Sequence, residues 1–134
     1  MEARIFYKRV QERANLSDDV STRRAVKTVL QSLHWRIPEG EANDIEATLP
    51  PELQREWRGN LAMRFSKKMG RVNKMNKEQF LNRVRTMNRL GTKESAERLS
   101  MAVIHVLKEA IPTGETKDML AQLPLDLRSF IKAA

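Results

Sequence analysis

Residues 37–53 read IPEGEANDIEATLPPEL, and residues 111–127 read IPTGETKDMLAQLPLDL. The two stretches keep Ile-Pro, Gly-Glu, Asp, Ala and Leu-Pro in one register, 74 residues apart. Sliding the whole chain by that offset, without a gap, sets residues 6–57 on residues 80–131 with 17 identities over 52 positions. Matches outside the motif include Phe6 with Phe80, Arg9 with Arg83, Val10 with Val84, Leu16 with Leu90, Arg24 with Arg98, Val29 with Val103 and Leu33 with Leu107. Self-similarity at one fixed offset is the mark of a duplicated structural unit. The chain therefore divides into a first repeat over residues 1–57, a joint over 58–75 and a second repeat over 76–134, sharing one compact domain.

Each repeat reads as helical. Val26, Val29, Leu30, Leu33 and Ile37 fall on one stripe of a helix, and Leu99, Val103, Ile104, Leu107 and Ile111 form the counterpart stripe. Ser17 and Thr92 stand where an N-cap belongs, and Asn76 with Gln79 suits a capping box. A preceding helix carries Ile5, Phe6 and Val10, mirrored by Phe80, Leu81 and Val84. Pro38 and Pro112 lack the backbone donor and stop the central helices. A third helix follows over about residues 41–49 and 115–123, and Pro50 and Pro124 start a last turn or two around Leu53 and Leu127. Nothing alternates with the period of a strand. The expected class is all-α: two homologous bundles of three helices plus a short tail, packed with approximate twofold symmetry. The second central helix also carries Met101, Ala102, His105 and Val106 on its far side, so it should be buried on two sides.

The repeated signature P-x-G-E-x-x-D-x-x-A-x-L-P follows an Arg-bearing helix that ends in Leu-x-x-x-Ile. It resembles the bacterial family known as domain of unknown function 2267, whose members often carry the unit in tandem. The resemblance covers both units and leaves out the joint. The first unit departs from the second at Pro51, where the second has Leu125. The resemblance implies a helical fold in a bacterial cytoplasm and implies no activity.

Composition excludes several classes. There is no Cys, so disulfides, thiolate metal sites and a Cys nucleophile are absent. The longest stretch free of Asp, Glu, Lys and Arg is Leu99 to Leu107, well short of the ~18 residues of a membrane span. The start, Met1-Glu2-Ala3-Arg4, has no apolar signal core, and a cytoplasmic protein without membrane insertion is the expectation. Gly-rich phosphate loops, a Ser elbow and a metal-spaced His pair are also missing. His34 and His105 are not equivalent under the offset and suit packed positions better than general bases. No cofactor is expected.

The repeated carboxylates are the main enzymatic temptation. Glu41 and Asp44 share a helix face, as do Glu115 and Asp118. A metal site needs further ligands converging on them, and the sequence offers none nearby. First-turn carboxylates are better explained by the helix N-terminus, which favours negative charge. Asp44 and Asp118 are also placed to receive Arg24 and Arg98 as equivalent structural ion pairs.

Charge is unevenly spread. The formal charge of +8 divides as −1 over residues 1–54, +7 over 55–77 and +2 over 78–134. Arg64, Lys67, Lys68, Arg71 and Lys74 in the joint, with Lys77 just beyond it, make a candidate polyanion-binding stretch, and the joint is expected to be helical through about Lys68 with a flexible point at Gly70. Aromatic interleaving for base stacking is absent, which weakens that reading. Trp35 lies opposite the apolar stripe of its own helix, and its counterpart is Glu109. It should pack on the joint or the other repeat, or belong to a contact patch. The leading expectation is a non-enzymatic protein-interaction or scaffold module with another protein as partner. The alternative is a sequence-nonspecific nucleic-acid-associated protein acting through the joint.

Overall fold

The computed structural model describes residues 1–59, 62, 64, 65 and 74–134. Among the described residues there are eight helices of full length and no strand. They are α1 (Ala3–Arg13), α2 (Asp19–Arg36), α3 (Glu39–Thr48), α4 (Pro51–Arg58), α5 (Lys77–Met87), α6 (Lys93–Ala110), α7 (Thr113–Ala121) and α8 (Leu125–Ala133). The expected tail of each repeat is thus a fourth helix. Pro51 sits at the first helical position of α4, where its missing N–H costs nothing and its fixed φ suits a helix. α4 then buries Leu53 and Trp57, and α8 buries Leu127, Phe130 and Ile131.

The helix starts follow local hydrogen bonding. Thr92 caps α6 by accepting from the Ser95 N–H at 3.1 Å. Asp18, not Ser17, caps α2, accepting from the Ser21 N–H at 2.6 Å. Asp18 is the residue in register with Thr92, so the repeat itself points to it. Asn76 and Gln79 form the reciprocal capping box, both bonds at 2.9 Å. α1 and α5 end alike, with Asn15 and Arg89 both at φ 54°. The Leu16 N–H reaches the Gln11 carbonyl and the Leu90 N–H reaches the Arg85 carbonyl, each at 2.9 Å. This is the Schellman closure, which needs one left-handed residue just past the helix end.

α2 and α6, the two longest helices, lie against each other. α1 packs on α2 and α6, and α5 packs on α6 and α2. α4 covers α2 and α1, α8 covers α5, and α3 meets α7. Both apolar stripes are buried throughout. Phe6, Val10, Val29, Leu33, Ile37, Leu49 and Leu53 join Phe80, Val84, Val103, Leu107, Ile111, Leu123 and Leu127 in one continuous core rather than two. The second apolar arc of α6 explains the fusion. Ala102 and Val106 are buried, with Met101 and His105 half-buried beside them. Ile5, by contrast, faces water.

Polar side chains tie the last helices down. The buried His34 ring stacks on Trp57 with centroids 5.1 Å apart, and its Nδ1 meets the Trp57 carbonyl. A carbonyl only accepts, so this nitrogen carries the proton. Trp57 Nε1–H donates to the Ala42 carbonyl at 2.9 Å, joining α4 to α3. Lys108 Nζ donates to the Ile131, Lys132 and Ala134 carbonyls at 2.9–3.2 Å, capping the end of α8. No helix among the described residues is long and apolar enough to cross a membrane.

Candidate functional site

The α3–α7 contact brings together side chains that are far apart in sequence. Glu41, Glu115 and Asp118 each place a carboxylate oxygen within 4.8 Å of the other two. The expectation that no further ligand converges on these carboxylates is overturned here for Glu41, which meets both Glu115 and Asp118. Glu41 and Glu115 are half-buried and Asp118 is exposed. Glu41 Oε1 and Glu115 Oε2 are fully covered and lack a hydrogen-bond partner. Burial first, then the charges of Glu115 and Asp118, push the Glu41 carboxyl up to about 7. Its place in the first turn of α3 works the other way, favouring the anion by about 0.3–1 kcal/mol. The net direction is upward, so burial and like charge win.

Such a group of oxygens can hold a proton near neutral pH, or offer hard donors to a divalent cation such as Mg²⁺ or Ca²⁺. The sequence signal lay in the 74-residue register, in which Glu41 and Glu115 stand at matching positions, on helices that meet in the fold.

The proposed arginine partners lie elsewhere. Arg98 is exposed and turns to its own helix, donating to the Ser95 hydroxyl at 3.3 Å. Arg24 lies near Asp18, where its charge helps hold that carboxyl below the usual range, behind the hydrogen bonds from Ser21. Among the described residues, the ion pairs do not join Arg24 to Asp44 or Arg98 to Asp118.

A different repeated arginine bridges the halves. Arg9 on α1 pairs with Glu109 at the end of α6 at 2.7 Å. Arg83 on α5 stands over the Trp35 ring at 5.3 Å, with its Nε donating to Ser32 Oγ at 3.1 Å. The Trp35 ring, opposite the apolar stripe of α2, is therefore covered from α5. Arg83 is also the more enclosed of the two arginines, and that burial lowers the pKa of its guanidinium. Arg9→Ala should cost about 0.2–1 kcal/mol, because its ion pair is partly solvated. Arg83→Ala should cost more, since it uncovers Trp35 and strips a bond from the buried Ser32 hydroxyl. Equal losses in urea titrations would contradict this.

Of the basic joint, Arg64 and Lys74 are exposed, and Lys67, Lys68, Arg71 and the expected flexible point at Gly70 lie outside the described residues. Lys77 is engaged. Its backbone N–H donates to Asp126 Oδ2 at 2.9 Å and its Nζ lies 5.1 Å from the Phe130 ring centroid.

Two open grooves flank the bundle. One, of about 330 Å³, is lined by Arg4, Tyr7, Lys8, Arg23 and Glu52 among others. Arg23 there both pairs with Glu52 at 3.1 Å and covers the Tyr7 ring, so its charge is already answered. Burial, with Glu56 and Glu52 close by, pushes the Tyr7 hydroxyl up to about 12 and keeps it neutral. The other groove, of about 360 Å³, is lined by Glu78, Gln79, Leu81, Asn82, Arg85 and Lys93.

His105 is half-buried, 3.6 Å from Glu109, and His34 is a core residue, in line with the packed roles read from sequence. No curated protein matches the chain. A family model described as "Uncharacterized conserved protein (DUF2267)" matches residues 3–130. That span runs from the start of α1 into α8 and takes in both copies of the Pro-Gly-Glu signature, so the chain belongs to the DUF2267 family.

Proposed function

We propose that the protein is a non-enzymatic helical interaction module of the bacterial cytoplasm, two homologous units related by an approximate twofold axis, that engages another protein. The observation carrying this reading is the use made of equivalent positions. Asn15 and Arg89 share one left-handed conformation. His34 and Lys108 hold the carbonyls of Trp57 and Ile131, and Gln54 and Arg128 hold those of Glu46 and Leu120. Arg9 and Arg83 cross to Glu109 and Trp35. The α1–α6 contact is answered by the α5–α2 contact, while α2 with α6 and α3 with α7 are self-answering. Each of these pairs is offset by 74 residues, and each serves the fold rather than a reacting centre. A duplicated unit devoted to its own packing is what a rigid presenting scaffold needs.

The test is photo-crosslinking in cells from Val20, Met87 and Leu125, large apolar side chains that remain 52–73% exposed. A discrete protein adduct from one of these positions supports the reading. Adducts at none of them, or to nucleic acid alone, overturn it.

A second reading rests on the charge of +7 between residues 55 and 77. A broad positive surface neutralises phosphates without reading bases, so binding would be weak, sequence-tolerant and steeply salt-dependent. Replacing Lys67, Lys68, Arg71 and Lys74 by Gln should weaken it equally for all sequences and flatten the salt slope. Electrophoretic-shift titrations at low salt decide the matter, and absence of any shift with DNA or RNA removes this reading.

A further inference from the structure

Glu41 and Glu115 meet across the α3–α7 contact, and each buries one oxygen without a hydrogen-bond donor. Two ionised carboxylates only accept, so they cannot satisfy each other. A single proton between them changes that, making one the donor and the other the acceptor. We propose that Glu41 and Glu115 share one proton that latches α3 onto α7, and that its release to solvent with rising pH loosens this contact between the two halves.

The surroundings favour the proton. The charges that bear on Glu41 are Glu115 and Asp118 from α7 and Asp44 from α3 itself, all acidic. α4, also packed on α3, brings Arg58, which is engaged with Glu46 at 3.2 Å. α8, packed on α7, brings Arg128, which donates to the Leu120 and Leu123 carbonyls. His34 of α2 comes within 4.0 Å of Glu39, one turn edge away from the pair. Arg58 and Arg128 are thus directed at other partners, and the like charges of Glu41, Glu115 and Asp118 face one another.

The sign of the linkage follows. The Glu41 carboxyl rises from an ordinary 4.5 to about 7 in the folded chain. Between those values the folded protein holds a proton that the unfolded chain has released. Stability therefore falls as pH rises through this window and stays low above it. The pair titrates as a unit, so replacing either member removes the shared proton.

Thermal unfolding from about pH 5.5 to about pH 8.5, in chelator-treated buffer, reads the latch. The unchanged chain should lose about 5 °C in Tm over this range. Glu41→Gln and Glu115→Gln place a permanent amide donor where the proton sat, so each should lose much less. Hydrogen exchange, corrected for the intrinsic pH dependence, should show α3 and α7 opening faster at the alkaline end in the unchanged chain only. Equal Tm slopes in all three chains overturn the proposal. So does recovery of the alkaline Tm by millimolar Mg²⁺ or Ca²⁺, since the trio would then be bridged by a cation rather than a proton. If one variant fails to fold, the other carries the comparison.

Discussion

Truncating Leu107 to alanine should lower the unfolding free energy by about 2–5 kcal/mol, and Leu33→Ala should do the same. Both side chains are fully covered, one on each of the two long helices that lie against each other. Alanine at either place removes the transfer free energy of the lost carbons and leaves a void that close-packed neighbours fill only in part. Because the two sets of core residues form one cluster, each truncation should shift a single transition rather than split it. Urea unfolding followed by both tryptophan fluorescence and circular dichroism checks this. A loss below about 1 kcal/mol, or two separate transitions, would show that the stripes on α2 and α6 are not the shared centre of the molecule.

Trp57→Ala should cost about 3–5 kcal/mol, as large a loss as any single change to the chain. The indole is fully buried, stacks on His34 and donates to the Ala42 carbonyl, so α2, α3 and α4 all depend on it. Trp57→Phe separates the contributions. It keeps most of the ring and leaves the Ala42 carbonyl without that donor, at a cost of about 1–3 kcal/mol. Denaturant titration of both variants measures the difference, and equal losses would mean that the hydrogen bond rather than the packing dominates.

How far these residues could be read beforehand depends on the range of the interaction. The stripes of α2 and α6 repeat every three or four residues, and all ten of their apolar positions are buried as that spacing requires. Caps are equally local, and Thr92 and Asn76 with Gln79 fall where their types suggest. Ser17 misleads because Ser and Asp are comparable caps, and only the register with Thr92 separates them. The last helices looked like tails because Leu53 and Leu127 alone make a weak stripe. Their stability comes from Trp57 and Ile131 docking on α2 and α6 residues His34 and Lys108, contacts between distant segments.

The carboxylate group was hidden for a related reason. Glu41 and Asp118 lie far apart in the sequence, and composition cannot say which faces of distant helices meet. Trp35 is the opposite case. Its place off the apolar stripe signalled a partner from outside its own helix, and Arg83 is that partner. Arg24 and Arg98 show the limit of arguing from repetition, since both recur and neither reaches the carboxylate assigned to it.

The single core also sets a schedule for synthesis. α1 and α2 leave the ribosome before α5 and α6, yet much of the surface they must cover belongs to those later helices. A nascent chain that ends at Trp57 holds Val26, Val29 and Leu30 on a helix that has α1 and α4 beside it but still lacks two of its neighbours, α5 and α6. Its first half therefore waits, adhesive and incomplete, until residues beyond about position 110 emerge to close over it. At the ~5–20 residues per second of translation, that exposed interval lasts several seconds, ample time for a chaperone to bind.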